Sequence, residues 1–190
     1  MIKYIPNILT ILRILLVPVF IWYFFFANVP GSLIWAVAIF IIAEFTDYLD
    51  GKIARKYNVI SNFGKVMDPL ADKFLTITAL VGIALPPFNL ISIIAVGVII
   101  FREISVSVLR QVYVKKKIYM PANQWGKIKT VSQMTGLTFT LIYLAITSVE
   151  NCTISIVIYY YFWLVALITA FSGISYFLPL FFPAGIGEEK

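Results

Sequence analysis

"DYLDGKIARKYNVISNFGKVMDPLAD", residues 47–72, joins two apolar runs and holds four of the nine acidic residues in the chain. The 190 residues around it are 61% hydrophobic, with a mean hydropathy of +0.94. Soluble domains are roughly 45–50% apolar, and one core of this size cannot enclose such an excess. Runs near or above the roughly 18 residues that cross hydrocarbon recur along the whole length. The chain therefore reads as an all-α integral membrane protein, with the acidic window between its second and third spans.

Working outward, six apolar segments cover about residues 8–27, 32–49, 70–87, 88–109, 130–149 and 154–181. Each should be a helix, because a chain in lipid must satisfy its backbone hydrogen bonds within the span or within a closed barrel. These runs lack the alternation of barrel strands. The first is expected to be a retained helix and not a signal peptide, since Arg13 interrupts it and Trp22–Phe26 offers no small-residue cleavage site. Asn28–Gly31, Pro86–Asn89 and Ser148–Thr153 carry no Lys or Arg, whereas Lys52, Arg55, Lys56 and Lys65 fill one intervening segment. Arg110, Lys115, Lys116, Lys117, Lys127 and Lys129 crowd the other. The positive-inside rule then puts both basic segments and both termini in the cytoplasm. The expected architecture is a single domain, residues 1–190: a six-transmembrane-helix bundle with a polar cavity facing the cytoplasm. Trp22, Tyr23, Trp35, Tyr159, Tyr160, Tyr161 and Trp163 fall near the outer helix ends and read as an interfacial anchor belt.

There is no histidine and one cysteine, Cys152. This excludes His-ligated zinc, a Ser-His-Asp triad and an internal disulfide, and leaves carboxylates as the obvious base and metal ligands. Asp47 and Asp50 stand three apart and Asp68 and Asp72 four apart, so each pair shares a helix face. The first pair is expected at the end of the second span. Asp68 is expected as the N-cap of the third, with Pro69 at its first helical position. Four carboxylates so placed would repel one another unless cations were bound. A solvated network with Lys52, Arg55, Lys56, Lys65 and Lys73 is the plainer account of any one of them. Four at same-face spacing favour a metal site, because ionisable groups facing a bundle interior usually mark function. All-oxygen ligation suits Mg²⁺ or Mn²⁺, and paired metals are common in phosphoryl transfer. Gly51 and Ala54 leave room for a nucleotide, and Arg55 offers a planar fork for phosphate oxygens. Gly64 either keeps the site open or makes a turn.

Asp47-x-x-Asp50-Gly51-x-x-Ala54-Arg55, eight residues, then Gly64-x-x-x-Asp68-x-x-x-Asp72 resembles the signature of the CDP-alcohol phosphotransferase family at every position. The resemblance implies two divalent cations held by Asp47, Asp50, Asp68 and Asp72. It implies that Arg55 and Gly51 contact the CDP moiety, and that Asp72 is the base that deprotonates the acceptor hydroxyl. Ile5–Pro18 is similar to the opening of the phosphatidylglycerophosphate synthase branch, with Pro6, Asn7, Thr10 and Arg13 as matched positions. Asn7 and Thr10 are accordingly expected, with Gly51, Ala54 and Arg55, in the CDP-diacylglycerol site. Phe101–Gln111 and Trp125–Gln133 also resemble that branch, although related cardiolipin synthases share parts of them.

The expected reaction moves the phosphatidyl group of CDP-diacylglycerol to sn-glycerol 3-phosphate, giving phosphatidylglycerophosphate and CMP. A phosphorylated acceptor needs fixed cations, and Arg110, Lys127 and Lys129 are the candidates. Lys115–Lys117 read as a polybasic surface for anionic lipid, and Glu103 as a local ion pair with Arg102. The nearest alternative is a cardiolipin synthase with phosphatidylglycerol as acceptor. An intramembrane prenyltransferase is disfavoured by the Gly-Ala-Arg positions. A divalent-cation transporter is disfavoured because its acids should sit at midmembrane on broken helices. Membrane lipids are expected partners and nucleic acid is not. A homodimer in a bacterial-type cytoplasmic membrane, with its site facing the cytoplasm, is what the resemblance implies.

Overall fold

Hydropathy marks the part of a helix that sits in hydrocarbon, and the helices of this chain outrun it. The computed structural model describes the backbone of residues 5–27, 29–57, 62–115, 124–147 and 151–181, and side chains at 8–27, 29–47, 49, 52, 73–113, 124–147 and 151–174. Six α-helices lie among these residues: α1 (Ile5–Ile21), α2 (Ser32–Tyr57), α3 (Asn62–Ala84), α4 (Ile93–Lys115), α5 (Gln124–Ile146) and α6 (Cys152–Phe181). A π-helical segment, Trp22–Phe26, extends α1. There is no strand among the described residues, and each helix covers one expected apolar segment. The all-helical class agrees with the sequence.

The helix ends do not all agree with it. α2 continues to Tyr57 and α3 already begins at Asn62, so Asp47 and Asp50 are not at a helix terminus and Asp68 is not an N-cap. The reason is that backbone hydrogen bonding continues wherever residues favour it, and the Lys, Arg and Ala of the polar stretch are strong helix formers. Pro69 is accommodated inside α3, as prolines in membrane helices often are. On the same grounds α5 starts at Gln124, which puts Lys127 and Lys129 on the helix and not ahead of it.

Two helical stretches, Ile8–Phe26 and Cys152–Ile174, are long and apolar enough to cross a membrane. Only 22% and 28% of their apolar windows are buried inside the protein, unlike the core helix of a soluble domain. Large apolar residues such as Phe101, Ile146 and Phe171 stand exposed elsewhere too. An apolar exterior of this kind is consistent with a membrane protein.

Internal contacts divide the chain into two compact units, Met1–Pro86 with Leu137–Glu150 and Pro87–Gly136 with Asn151–Lys190. In the first, α1 packs against α2 and α3, and α2 against α3. Its core stacks Phe20 on Phe24, ring centroids 5.3 Å apart, with Phe40 tilted against Phe20 at 6.0 Å. Gly82 of α3 lets α1 approach, for a Cβ there would lie 2.3 Å from the Phe24 ring and 2.8 Å from Phe25. Phe24 is buried and cannot swing aside without leaving a void. Gly82→Ala is therefore expected to destabilise the protein by about 1–3 kcal/mol, read as an earlier thermal unfolding in detergent.

In the second unit, α4 packs against α6 over a core that includes Val96, Ile99, Phe162 and Val165. The Tyr161 hydroxyl donates a hydrogen bond of 2.8 Å to the Ser132 carbonyl on α5. Of the expected belt, Trp22, Trp35, Tyr159 and Tyr160 are exposed, as interfacial anchors must be.

Candidate active site

The motif aspartates occupy helix interiors. α2 and α3 are in contact and are separated only by residues 58–61, the short spacing of an antiparallel helical hairpin. Asp47 stands ten residues before the end of α2 at Tyr57, and Asp72 ten residues after the start of α3 at Asn62. Asp50 and Asp68 stand seven and six residues from those same ends. At about 1.5 Å of rise per residue, Asp47 and Asp72 each stand about 15 Å along their helix from those ends. With Asp50 two turns from the end of α2, the negative end of the helix dipole adds no penalty there, since that effect fades within the last turn. Gly51, Ala54 and Arg55 follow on α2, and Gly64 precedes Asp68 on α3.

Of the four carboxylates, Asp47 has a described side chain, and it meets a cation from another helix. Arg13 Nη1 of α1 lies 2.8 Å from Asp47 Oδ1; the arginine side chain is 1% exposed and the aspartate 43%. Thr10, one turn before Arg13, is fully buried, and Thr46 turns its hydroxyl to the Ala43 carbonyl at 2.7 Å. Asn7 lies in the first turn of α1. The side chains of Asn7, Asp50, Gly51, Ala54, Arg55, Asp68 and Asp72 lie outside the described residues. Among the described residues no three His, Cys, Asp or Glu side chains group as metal ligands.

The second unit holds its own polar cluster. Lys129 of α5 is ion-paired with Glu103 Oε1 of α4, and both side chains are largely buried. Arg102 stands 4.0 Å from the same oxygen and donates a hydrogen bond of 2.8 Å to Ser172 Oγ of α6. Gly173 makes room for it, since a Cβ there would lie 3.1 Å from Arg102 Cγ. Glu103 thus meets its chain neighbour Arg102, as the sequence suggested, and also Lys129 from another helix. Arg110 on α4 and Lys127 on α5 are exposed.

A family model described as CDP-alcohol phosphatidyltransferase matches residues 3–175, which span α1 to α5 and most of α6. The chain belongs to the CDP-alcohol phosphatidyltransferase family. Similar proteins include the CDP-diacylglycerol–glycerol-3-phosphate 3-phosphatidyltransferase of Rickettsia typhi, 37% identical over 92% of this chain and 96% of its own length. The protein of the same name from Bacillus subtilis is 38% identical, covering 73% and 76%. That from Pseudomonas fluorescens is 38% identical, covering 72% and 71%. As a CDP-alcohol phosphatidyltransferase the protein is an enzyme, a transferase, and the family match takes in most of both compact units.

The residue that sequence reasoning passed over is Arg13. It registered as a break in an apolar helix and as a matched position, without a role. An ionisable residue inside an apolar span is a signal in itself, but its partner sits on another helix and is not written in local spacing.

Proposed function

We propose that this enzyme transfers the phosphatidyl group of CDP-diacylglycerol to sn-glycerol 3-phosphate, yielding phosphatidylglycerophosphate and CMP. The observation that carries the reading is the signature of four aspartates on the successive helices α2 and α3, in a chain whose relatives bear that activity in their names. Asp47, Asp50, Asp68 and Asp72 make an all-oxygen donor set, which fits Mg²⁺ or Mn²⁺. Two such cations, when bound, would supply charge neutralisation at the diphosphate. Arg55 would add a fork to the phosphate oxygens. Gly51 and Ala54, with Asn7 and Thr10 on α1, would shape the CDP-diacylglycerol site. Asp72 would take the proton of the acceptor's primary hydroxyl as its oxygen attacks the lipid-linked phosphorus. The bond to the CMP oxygen then breaks and CMP leaves. Positioning and charge complementarity should carry most of the rate enhancement.

Acceptor recognition falls to Arg110 and Lys127, whose exposure leaves them accessible, with Lys129 behind them in its ion pair with Glu103. Arg110→Ala is expected to raise KM for glycerol 3-phosphate roughly ten- to hundredfold, the loss of one charge-assisted hydrogen bond, with KM for CDP-diacylglycerol unchanged. Equal losses for both substrates would remove Arg110 from the acceptor site. The decisive experiment on the reaction is an acceptor panel: purified protein with CDP-diacylglycerol, Mg²⁺ and one acceptor at a time. Glycerol 3-phosphate should give product. Product from phosphatidylglycerol alone would make the enzyme a cardiolipin synthase instead.

The same reading takes the two units as one catalytic domain with six spans. Its basic segments and termini would face the cytoplasm, the charge asymmetry being the support. It also takes the protein as a homodimer of a bacterial-type cytoplasmic membrane. Cysteine labelling from either side of sealed vesicles tests the orientation, and mass measurement in nanodiscs tests the dimer.

A further inference from the structure

Arg13 is sealed while its partner is not. Its side chain is 1% exposed in an apolar helix, and Asp47, 2.8 Å away on α2, is 43% exposed. Both residues belong to the same compact unit, in which α1 packs on α2. A cation so placed is too deep to meet a phosphorylated ligand, and it is no solvated surface bridge, since those leave both partners wet. A buried charge is retained only when paired in good geometry. Here guanidinium Nη1 stands 2.8 Å from one carboxylate oxygen. That contact restrains Asp47 on one side, while its side chain stays 43% exposed.

The geometry points to Arg13 as the positioning residue of Asp47. It fixes the carboxylate for its ligand without touching substrate, and Thr10, buried one turn away, packs the same stretch of α1. The inference rests on the reading of Asp47 as a divalent-cation ligand. Two opposing effects separate positioning from simple charge balance. A neighbouring cation disfavours a bound metal, so if charge alone mattered its removal would tighten binding. If orientation dominates, removal weakens binding, and residues that hold a ligating carboxylate from outside are typically worth about 10–100-fold in metal affinity.

The test uses full-length protein in nanodiscs with CMP present, titrated with Mn²⁺ and followed by electron paramagnetic resonance. Wild type should bind, and Asp47→Asn should bind more weakly. Arg13→Met is expected to lose about 10–100-fold in Mn²⁺ affinity, and Arg13→Lys, which keeps the charge but not the fork, an intermediate amount. Arg13→Met combined with Asp47→Asn should be no weaker than Asp47→Asn alone, because Arg13 acts through Asp47. Should Arg13→Met fail to fold, Arg13→Lys with its own thermal melt decides the matter. Unchanged Mn²⁺ affinity with only a lower melting temperature, or tighter binding, would overturn the positioning role and leave Asp47 as a ligand. Absence of any Asp47-dependent binding would instead overturn the ligand reading itself.

Discussion

Asp72→Asn is expected to lower kcat by about a hundred- to ten-thousandfold, the usual contribution of a positioned general base, while CDP-diacylglycerol still binds. The amide has nearly the shape of the carboxylate, so α3 should not be disturbed. What it loses is the ability to take the acceptor's proton. Asp72 sits ten residues into α3 and belongs to the proposed cation site, so substitution also removes one negative charge from it. Two measurements separate these losses. Raising Mg²⁺ should recover any deficit in cation binding and leave the deficit in proton transfer. Equilibrium binding of a CDP-diacylglycerol analogue should stay near wild type. Full turnover by Asp72→Asn would remove Asp72 as the base.

The second large effect concerns stability. Lys129→Met is expected to destabilise the protein by about 3 kcal/mol, the lower end of the cost of breaking a buried ion pair from one side. That is roughly a hundredfold in the folding equilibrium. Glu103, 17% exposed, would lose its contact with Lys129 and keep Arg102 at 4.0 Å, and this residual attraction is why the lower end applies. The double variant Lys129→Met with Glu103→Leu should recover part of the loss, since it removes the unpaired carboxylate while Arg102 keeps its hydrogen bond to Ser172. Urea-induced unfolding in detergent, followed by tryptophan fluorescence, measures both. A single variant as stable as wild type would mean that the pair is offset by its own desolvation.

These outcomes mark where sequence reasoning reaches and where it stops. The six helices were legible because an apolar run in lipid has no alternative to internal hydrogen bonding. The pairing of Asp47 with Asp50, and of Asp68 with Asp72, was legible because helical spacing is local. The ends of α2, α3 and α5 were not, because hydropathy falls at Asp47 and rises again near Pro69 while helix propensity stays high between. Extending both helices moved the aspartates from presumed helix termini into helix interiors.

The charge pairs escaped for a different reason. Arg13 and Asp47 are on α1 and α2, and Glu103 and Lys129 on α4 and α5. For Glu103 the sequence suggested Arg102, which does stand 4.0 Å from its Oε1; the cations from other helices, Arg13 and Lys129, it did not suggest. What the amino-acid sequence determined by itself is the helical class, the family signature and the set of residues available for chemistry, all carried by composition and by spacings within a helix. Which carboxylate the buried cations Arg13 and Lys129 meet was decided by tertiary structure, because the desolvation cost of a charge is met by whichever opposite charge the packing of two helices brings within reach.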